Sequence, residues 1–514
     1  MKKINAILME IGSIQDYIFS SNRLKHVIGA SYIVKKIFEE DLKDVLKEIF
    51  GNGDNNNLNK WKEKPNKIKI INGTTPFEIG YIGGGNALLF IKERENVKKF
   101  IQLFTKTVLR KYPGVRIFFG ISYEFDISNF KNSMNEIHKN LKKNKNSYFP
   151  IITLPKHGFT AECPESAECT EIDFKNDDGK FISGVVKAKI LAAEEAMNTL
   201  KRDFENELED TFDFTNELDY LGISGGDNYI AIVCIDGNEI GKRFNDCNSL
   251  EEFRLLSKTI QDATQKSFGK MLKNLIESIK EKKISKNNNF KFIKQNEGKY
   301  LIPLVPVIIG GDDITFVSNG RLAIYLAEKF IENFTEQLVS DKKKLSACAG
   351  ISIVKTKYPF FKAYSLAKDL LRSAKKRSRE DKNSSYLDFF ISSGGFSGSY
   401  EEILINHFTA IEGILHYGPY KFEQSKILNN KCIENLKRIV DQFKKWPKNK
   451  LMEFRELLFD EKDKVIRFIK KLEIKGINLP KIEGKNFHIE IWENKETPYF
   501  DAIEILNFYP KELL

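Results

Sequence analysis

The sequence predicts an α+β protein with two ferredoxin-like (split βαβ) palm domains, a linker region and a C-terminal helical domain. Three observations predict the palms. Two apolar strands joined by glycines occur twice, as YIGGGNALLFI in residues 81–91 and as VIIGGDDITFV in residues 307–317. An amphipathic helix follows each pair, and a further strand follows each helix. With an opening strand and helix, both copies have the element order of the ferredoxin-like fold.

The elements of the two copies are predicted in matching pairs. Each copy opens with a buried strand that ends in glycine, AILMEIG in 6–12 and AIVCIDG in 231–237, and a helix follows it. The helices after the hairpins and the strands that close each copy are, in turn, 96–111 and 321–339, then 116–123 and 346–353. Equivalent elements lie 225 to 230 residues apart, which indicates an internal repeat.

The regions outside the two copies are predicted as a linker and a tail. The predicted domains are a degenerate first palm at 1–125, a linker with a vestigial zinc-finger-like insert and helices at 126–222, a catalytic second palm at 223–395 and a helical domain at 396–514. Two Lys/Asn-rich stretches, 52–66 and 281–298, are expected to be exposed or mobile loops.

Composition indicates a globular, cytoplasmic protein of several domains. The chain has 514 residues, of which 41% are hydrophobic and 30% charged. It has no long uncharged apolar run, its start is typical of a first strand, and its six cysteines predict reduced thiols. The net charge of +11 suits RNA or nucleotides as partners, but taken alone it favours the simpler explanation of a genome that favours Lys and Asn.

The two copies differ at the positions where the second carries carboxylates. Asp236 ends the first strand of the second copy, and Asp312 and Asp313 follow Gly310 and Gly311 at the tip of its hairpin. Aligned by the offsets above, the first copy has these residues instead: Ile11, Asn86 and Ala87. The sequence therefore predicts three carboxylates in one palm and none in its twin.

Three carboxylates at one sheet edge suit phosphate transfer. In a split βαβ sheet the first strand lies beside the hairpin, so Asp236, Asp312 and Asp313 are expected to converge. Mg²⁺ (or Mn²⁺) prefers oxygen ligands, and two such ions can assist an in-line displacement. A GGDD sequence also occurs in ordinary turns, but crowded carboxylates are costly without a cation. We therefore predict that the three aspartates are metal ligands and catalytic residues, with Gly310 and Gly311 allowing substrate close to the backbone.

Two further features are candidates for nucleotide binding. The loop after the first strand has backbone N–H groups that can hold a triphosphate, and it comprises Gly237, Asn238, Glu239, Ile240 and Gly241. A plain strand-to-helix turn explains the same residues. Lys375 and Arg379 lie four residues apart on one face of a predicted helix and can bind phosphates, although a solvated basic face fits equally well.

Taken together, these motifs resemble the nucleotidyl-cyclase and GGDEF superfamily, and specifically the large palm subunit of type III CRISPR effector complexes. The resemblance covers roughly residues 1–400 and leans toward the Cmr (III-B) branch. Its signature stretches are IQDYIFSSNRLKHVIGASYIV (14–34), IIGGDDITFV (308–317), AGISIVKTKYPFFKAYSLAKDLLRSAKK (349–376) and SSYLDFFISSGG (384–395).

The resemblance implies a synthetase that joins ATP molecules through 3′–5′ linkages into cyclic oligoadenylate second messengers when target RNA is bound. It implies that Asp236, Asp312 and Asp313 are the metal and catalytic residues, that Lys375 contacts the triphosphate and that Arg379 is a further candidate. The first palm is expected to keep a nucleotide-pocket or structural role. The implied partners are CRISPR RNA and target RNA within a complex of small and backbone subunits, with no membrane.

Two departures limit what the resemblance implies. Many members carry an N-terminal HD nuclease domain, but no histidine of this chain is followed by Asp, so we expect no DNase activity. Many also have a zinc-binding insert between the palms. Here that region offers Cys163 and Cys169, with His157 nearby, whereas a structural zinc site needs four ligands. We expect a metal-free remnant.

Three alternatives remain open from the sequence. Some HD-lacking relatives are thought to join ATP to S-adenosylmethionine, giving SAM-AMP, and the same carboxylates would serve that reaction. The chain is alternatively an RNA-binding scaffold subunit with an inactive palm, which the basic tail favours and the intact aspartates oppose. A diguanylate-cyclase-like enzyme that uses GTP fits the duplicated palm least well.

Overall fold

The computed structural model describes most of the chain. The described residues are 3–51, 58–70, 75–147, 161–166, 170, 174–176, 178–222, 228–284, 293–294, 298–392, 394, 400–422, 431–482 and 485–510. Among the helices in these ranges, none is both long enough and apolar enough to cross a membrane.

The strands form two main sheets and one short pair. They are β1 (Lys3–Gly12), β2 (Phe77–Gly83), β3 (Asn86–Ile91), β4 (Arg116–Asp126), β5 (Phe212–Asp213), β6 (Tyr229–Gly237), β7 (Tyr300–Leu301), β8 (Leu304–Gly310), β9 (Asp313–Asn319), β10 (Ala347–Lys355), β11 (Tyr386–Ile391) and β12 (Tyr420–Lys421).

Helices cover the sheets and make up most of the C-terminal region. They are α1 (Ile14–Phe19), α2 (Leu24–Lys36), α3 (Leu42–Phe50), α4 (Lys60–Glu63), α5 (Arg94–Lys111), α6 (Phe130–Asn146), α7 (Gly184–Asp203), α8 (Glu205–Leu208), α9 (Leu218–Gly222), α10 (Ile240–Asn245), α11 (Leu250–Lys280), α12 (Ala323–Thr335), α13 (Phe360–Glu380), α14 (Tyr400–Phe408), α15 (Ile433–Phe443), α16 (Lys448–Leu457), α17 (Lys462–Glu473), α18 (Phe487–Glu490) and α19 (Tyr499–Ile505). A π-helical turn (Ile37–Asp41) joins α2 to α3, and a 3₁₀ turn (Ile127–Asn129) precedes α6.

The two main sheets repeat one topology. The first has the strand order β2-β3-β1-β4, and the second contains β8-β9-β6-β10 in the equivalent places. All of these neighbours are antiparallel, as in a split βαβ sheet. The predicted α+β fold with two ferredoxin-like palms is therefore confirmed.

The second sheet continues beyond the repeat. β11 pairs parallel to β10, and β12 pairs antiparallel to β11, which gives a sheet of six strands. β11 lies in the stretch that carried the family resemblance after the second palm. The strand β11 carries the buried carboxylate of Asp388, which faces the C-terminal helical region through its contact with His416.

Two predictions of local structure were wrong in part. The helix predicted over 321–339 ends at Thr335, because Leu338 leaves the helix and forms an isolated β-bridge with Lys344. The stretch 52–66 was predicted to be exposed, but α4 lies in it and Trp61 is buried. Hydrophobic contact with the core outweighs the polar composition of its neighbours there. Most of 281–298 lies outside the described residues.

The long helix α11 connects the two palms. The buried Arg254 side chain donates from Nε to the Gly80 carbonyl oxygen (2.7 Å) and from Nη2 to the Ile79 carbonyl oxygen (2.6 Å) and to Glu78 Oε1 (2.9 Å). These groups belong to β2, whose pairing with β3 shifts register between Ile79 and Tyr81. The arginine thus pairs with carbonyl groups at an irregular sheet edge.

Candidate active site

The three predicted aspartates meet at one edge of the second palm sheet. Asp236 lies at the end of β6 and is the direct partner of Asp313, the first residue of β9. Asp312 lies in the turn between β8 and β9, and its carbonyl oxygen accepts a hydrogen bond from the Gly237 N–H at 3.2 Å. This bond fixes the turn against the end of β6.

The glycines of the turn leave space beside the carboxylates. A Cβ atom on Gly310 or Gly311 would meet no other atom within 4 Å, and Gly311 has φ +58°, a conformation that favours glycine. Thr264 of α11 donates a hydrogen bond to the Gly311 carbonyl oxygen at 2.6 Å. Gly237, by contrast, is packed, since a Cβ atom there would lie 2.7 Å from the Ile240 side chain. The turn is thus held in place, yet open on the side that faces away from the protein.

Two lysines from α13 pair with the aspartates. Lys375 forms an ion pair with Asp236 and donates to the Gly237 carbonyl oxygen at 3.2 Å. Lys368 Nζ lies 3.7 Å from Asp313 Oδ1. Lys368 was not predicted from the sequence, although it lies seven residues, or about two helical turns, before Lys375 and hence on the same face of the helix.

Burial and mutual repulsion set the charge of the aspartates. Burial raises the pKa of Asp312 to about 7, and the neighbouring charge of Asp236 adds to the effect. Burial also raises the pKa of Asp313, with the charge of Lys368 opposing the rise. For Lys368 burial lowers the pKa, but the charges of Asp313, Cys234 and Asp236 together outweigh burial, and the pKa is raised. The site is therefore one in which an additional cation would stabilise the ionised carboxylates.

The donor groups fit a divalent cation chemically. Asp313 Oδ1 is a buried oxygen that accepts no hydrogen bond, and carboxylate oxygens are the ligands that Mg²⁺ prefers. In the described part of the chain, however, no set of three His, Cys, Asp or Glu side chains already converges as a metal cluster. Asp236 is paired with Lys375, and Asp313 with Lys368.

The loop after β6 is partly engaged within the protein. The Asn238 N–H donates to the Ser346 carbonyl oxygen at 2.8 Å, and the Gly237 N–H is bound as described. The Asn238 side chain donates to Ser346 Oγ at 3.1 Å, which marks it as a structural residue. Glu239 is exposed with φ 55°, and Ile240 begins the six-residue helix α10 and is buried. The N–H groups of Gly237 and Asn238 are therefore not free to bind a phosphate, which favours the interpretation of this loop as a plain strand-to-helix turn.

The two predicted phosphate-binding side chains differ in position. Lys375 reaches both Asp236 and the loop after β6. Arg379 lies one turn further along α13 and is exposed. Among the described residues, the ion pairs of Asp236 and Asp313 are with Lys375 and Lys368, and neither is with Arg379. The structure thus brings Lys375 to the site and leaves Arg379 outside it.

The alignment of the two palms by sequence offset was wrong by one residue. In the first palm Glu10 pairs with Asn86, just as Asp236 pairs with Asp313 in the second. The turn between β2 and β3 places Gly85 at the position of Asp312. The first palm therefore retains one carboxylate, Glu10, at a site where none was predicted from the sequence. Side chains on a strand alternate between faces, so a slip of one residue selected the wrong side chain.

The lysines follow the same correspondence. Gly120 of β4 lies under Ile137 and Leu141 of α6, and Gly350 of β10 lies under Ala367 and Leu371 of α13. These contacts match α6 with α13, so that two pairs of residues are equivalent: Lys145 with Lys375, and His138 with Lys368.

Cations and carboxylates are kept or lost together in the two palms. Glu10 of the first palm pairs with Lys145 at 2.6 Å, the counterpart of the pair between Asp236 and Lys375. The counterparts of Asp313 and Lys368 in the first palm are the neutral residue Asn86 and His138. Burial lowers the pKa of His138, which favours its neutral form. This matching indicates that each lysine is present because it pairs with a particular carboxylate, and not because the helix as a whole is basic.

The predicted zinc position lies partly outside the described residues. Cys163 is buried in a small apolar cluster with Ile182 and Val186. Cys169 and His157 lie outside the described residues. The expectation of a metal-free insert therefore stays a prediction.

Comparisons with known proteins place the second palm in a family. Residues 229–385 match the family model described as Cas10/Cmr2, second palm domain. No curated protein matches the sequence. The predicted resemblance to the palm subunit of type III complexes is therefore confirmed, whereas the lean toward the III-B branch stays a prediction.

Solved structures share the fold over nearly the whole chain. A Csm1–Csm4 cassette in complex with pppApApA has 12% sequence identity and a TM-score of 0.54, and the match covers 98% of this chain and 69% of that chain. Csm1 in T. onnurineus has 14% identity and a TM-score of 0.54, with 99% and 70% covered. A cassette in complex with cA4 has 15% identity and a TM-score of 0.51, with 98% and 70% covered.

Proposed function

We propose that the Cas10/Cmr2-type palm formed by residues 229–385 is a nucleotidyltransferase that uses ATP and two Mg²⁺ or Mn²⁺ ions. The observation that carries the proposal is the meeting of Asp236, Asp312 and Asp313 beside an open glycine turn. The proposed product is a cyclic oligoadenylate with 3′–5′ linkages. Its proposed role is that of a second messenger in type III CRISPR antiviral defence, made when target RNA is bound.

The chain's own residues position the substrate in this proposal. Asp236, Asp312 and Asp313 would hold the cations, which when bound neutralise charge on the transferred phosphate. Gly310 and Gly311 leave room for phosphates close to the backbone. The contribution of the protein is therefore orientation and electrostatics, without a covalent intermediate.

The lysines have two roles in the proposal. Lys375 would exchange its ion pair with Asp236 for one with the triphosphate. Once Asp236 binds a cation, its carboxylate attracts the lysine ammonium less strongly than a phosphate group does. Lys368 is a positioning residue that holds Asp313 through their 3.7 Å ion pair. Its side chain lies beside the Tyr364 ring, which stacks on Phe19 of the first palm with 3.4 Å between ring centroids. The aspartate is thereby linked to the contact between the palms.

Solved relatives of the same fold support the choice of nucleotide. Csm1–Csm4 cassettes have been crystallised in complex with AMPPNP and with cA4. By analogy we propose ATP as the substrate here. We also propose that the chain works within a multisubunit effector complex, with small and backbone subunits, that contains CRISPR RNA and target RNA.

The test is product analysis by mass spectrometry after incubation with ATP and Mg²⁺, with and without target RNA in the assembled complex. The wild type is expected to form cyclic oligoadenylate. Asp312→Ala with Asp313→Ala is expected to reduce turnover by roughly 100-fold or more, since the groups that hold the charge-stabilising cations are removed. Asn86→Ala in the equivalent turn of the first palm is the matched control and is expected to keep most activity. Full product formation by the double variant would refute the assignment.

The same assay distinguishes the alternatives that the sequence left open. A product that forms only when S-adenosylmethionine is added would identify SAM-AMP synthesis at the same carboxylates. A wild type that assembles with RNA and yields no nucleotide product would identify a scaffold subunit with an inactive palm.

A further inference from the structure

A groove of about 410 Å³ lies between α16 and α17 in the C-terminal helical region, far along the chain from the aspartates. Most of the charged side chains that line it are cationic. The cationic residues are Lys450 of α16, Lys464, Arg467 and Lys471 of α17, and Lys475 just beyond the end of α17. The acidic residue is Glu453 of α16.

Only part of this positive charge is neutralised within the protein. Lys450 pairs with Glu453 at 2.6 Å, and Lys464 pairs with Asp460 at 2.7 Å. In the part of the chain that the structure describes, Arg467, Lys471 and Lys475 have no acidic partner, and all three are exposed. Like charges four residues apart on a helix repel one another, so this arrangement favours an anionic ligand.

The floor of the groove is part of the hydrophobic core, so its shape is fixed. Phe468 and Leu472 of α17 are buried, and the Phe468 ring stacks on Phe454 of α16 with 6.3 Å between ring centroids. Lys450 Nζ lies 5.7 Å from the centroid of the Phe468 ring. All of these cations except Lys475, which follows α17, are therefore carried by two helices that pack against each other.

We infer that this groove binds the phosphate backbone of a single-stranded nucleic acid. Lys464, Arg467 and Lys471 follow one face of α17 over about 10 Å, since each residue of a helix rises about 1.5 Å, and Lys475 lies in the turn just beyond the helix. A line of cations fits a polymer with regularly repeated phosphates better than it fits one compact anion. Because the aromatic floor is buried, bases cannot stack on it, and binding is independent of base sequence.

The experiment measures binding of a fluorescent 20-nucleotide single-stranded RNA by anisotropy, without ATP or divalent cations. The variant combines Arg467→Gln, Lys471→Gln and Lys475→Gln in the full chain. Its affinity is expected to fall roughly tenfold at about 0.1 M salt. The slope of log K against log salt concentration is expected to shrink by about 2, since each phosphate contact with a single strand contributes about 0.7.

The matched control removes one arginine and two lysines from an exposed face of α5. It combines Lys99→Gln, Lys106→Gln and Arg110→Gln, and its RNA affinity is expected to stay within about twofold of wild type. Both variants should keep the thermal midpoint of wild type, since all six side chains are exposed. Equal losses in the two variants, or no loss in the groove variant, would overturn the inference. Displacement of the RNA by polyglutamate of equal charge would also overturn it, in favour of an acidic protein partner.

This inference is independent of the proposed transferase. If the groove variant loses RNA binding and keeps ATP turnover, the two proposals concern separate sites.

Discussion

At the scale of single residues, a comparison of equivalent positions in the two palms indicates which charged side chains act together. The carboxylate and lysine that pair in the second palm, Asp236 and Lys375, have charged counterparts in Glu10 and Lys145. The residue that matches Asp313 is the uncharged Asn86. A buried carboxylate needs a cation beside it, and without one it is protonated or destabilises the fold.

This pairing predicts the effect of Lys368→Met. Because Asp313 then lies in its site without a cation, the metal-free protein is expected to lose about 1–3 kcal/mol of stability. Added Mn²⁺ is expected to restore it, so the rise in thermal midpoint on metal addition will be larger than in the wild type. His138→Met, at the equivalent position of the first palm, is the matched control and should show no such metal dependence. An identical metal-induced shift in Lys368→Met and wild type would contradict the role of Lys368.

At the scale of elements, the site depends on how closely α13 approaches the sheet. Gly350 of β10 lies directly under the backbone of α13 at Ala367 and Leu371, with no room for a Cβ atom. That close approach brings Lys368 and Lys375, on the same helix, to the ends of β6 and β9. Gly120 has the same relation to α6 in the first palm, where its Cβ would lie 2.6 Å from the Ile137 carbonyl oxygen.

We therefore expect Gly350→Ala to move α13 away from the sheet. Overpacking of this kind typically costs about 1–3 kcal/mol of stability. The displacement of both lysines should also reduce nucleotide turnover well beyond the loss of folded protein. Gly120→Ala makes the same change in the first palm and is expected to cost similar stability while largely sparing turnover. The measurement is denaturant unfolding together with turnover per folded molecule. Equal turnover losses in the two variants would show that the position of α13 is not what matters.

At the scale of the whole molecule, buried charged groups join regions far apart in the chain. His416 lies between Asp388 of β11 and Asp501 of α19, with ring nitrogens 2.8 Å and 3.2 Å from their carboxylate oxygens. Burial lowers the pKa of His416, but the charges of Asp501 and Asp388 outweigh burial and hold the pKa well above its ordinary value. The Tyr420 hydroxyl also donates to Asp501. The protonated histidine thus ties the second palm sheet to the C-terminal helices.

The raised pKa of His416 predicts a pH dependence with a definite sign. The native state binds the proton more tightly than the unfolded state, so the stabilisation is complete below pH about 6.5 and is lost as pH rises through the folded pKa. The free energy of unfolding is therefore expected to fall as the pH is raised from about 6.5 to 9. In His416→Gln this slope should flatten, and the variant should be less stable at pH 6. A wild-type slope retained in the variant would assign it to other groups.

The contact between the palms gives a second prediction at this scale. Arg254→Met leaves Glu78 buried without its cation, and breaking a buried pair in this way typically costs about 3–5 kcal/mol. Glu78 keeps hydrogen bonds from the N–H groups of Lys69 and Ile70, both 2.8 Å, so the lower end of that range is expected. Adding Glu78→Gln removes the unpaired charge and should recover part of the loss. Denaturant unfolding of the single and double variants measures both effects.

The repeat of periodic strands, glycine turns and amphipathic helices was enough to predict both palms and the meeting of Asp236 with Asp312 and Asp313. Local periodicity specifies elements, and the order of elements in a split βαβ unit specifies which strands are neighbours. No further information was needed for that part of the site.

Contacts between separate elements were decided only by the tertiary structure. The retained carboxylate Glu10, the pairing of Lys368 with Asp313 and the engagement of the Gly237 and Asn238 N–H groups depend on strand register and on the approach of helix to sheet. A shift of one residue in register turns a side chain to the other face, and composition and spacing cannot resolve such a shift. Ion pairs between distant segments, such as Arg254 with Glu78, likewise follow from packing, because the charge of a residue does not specify its partner.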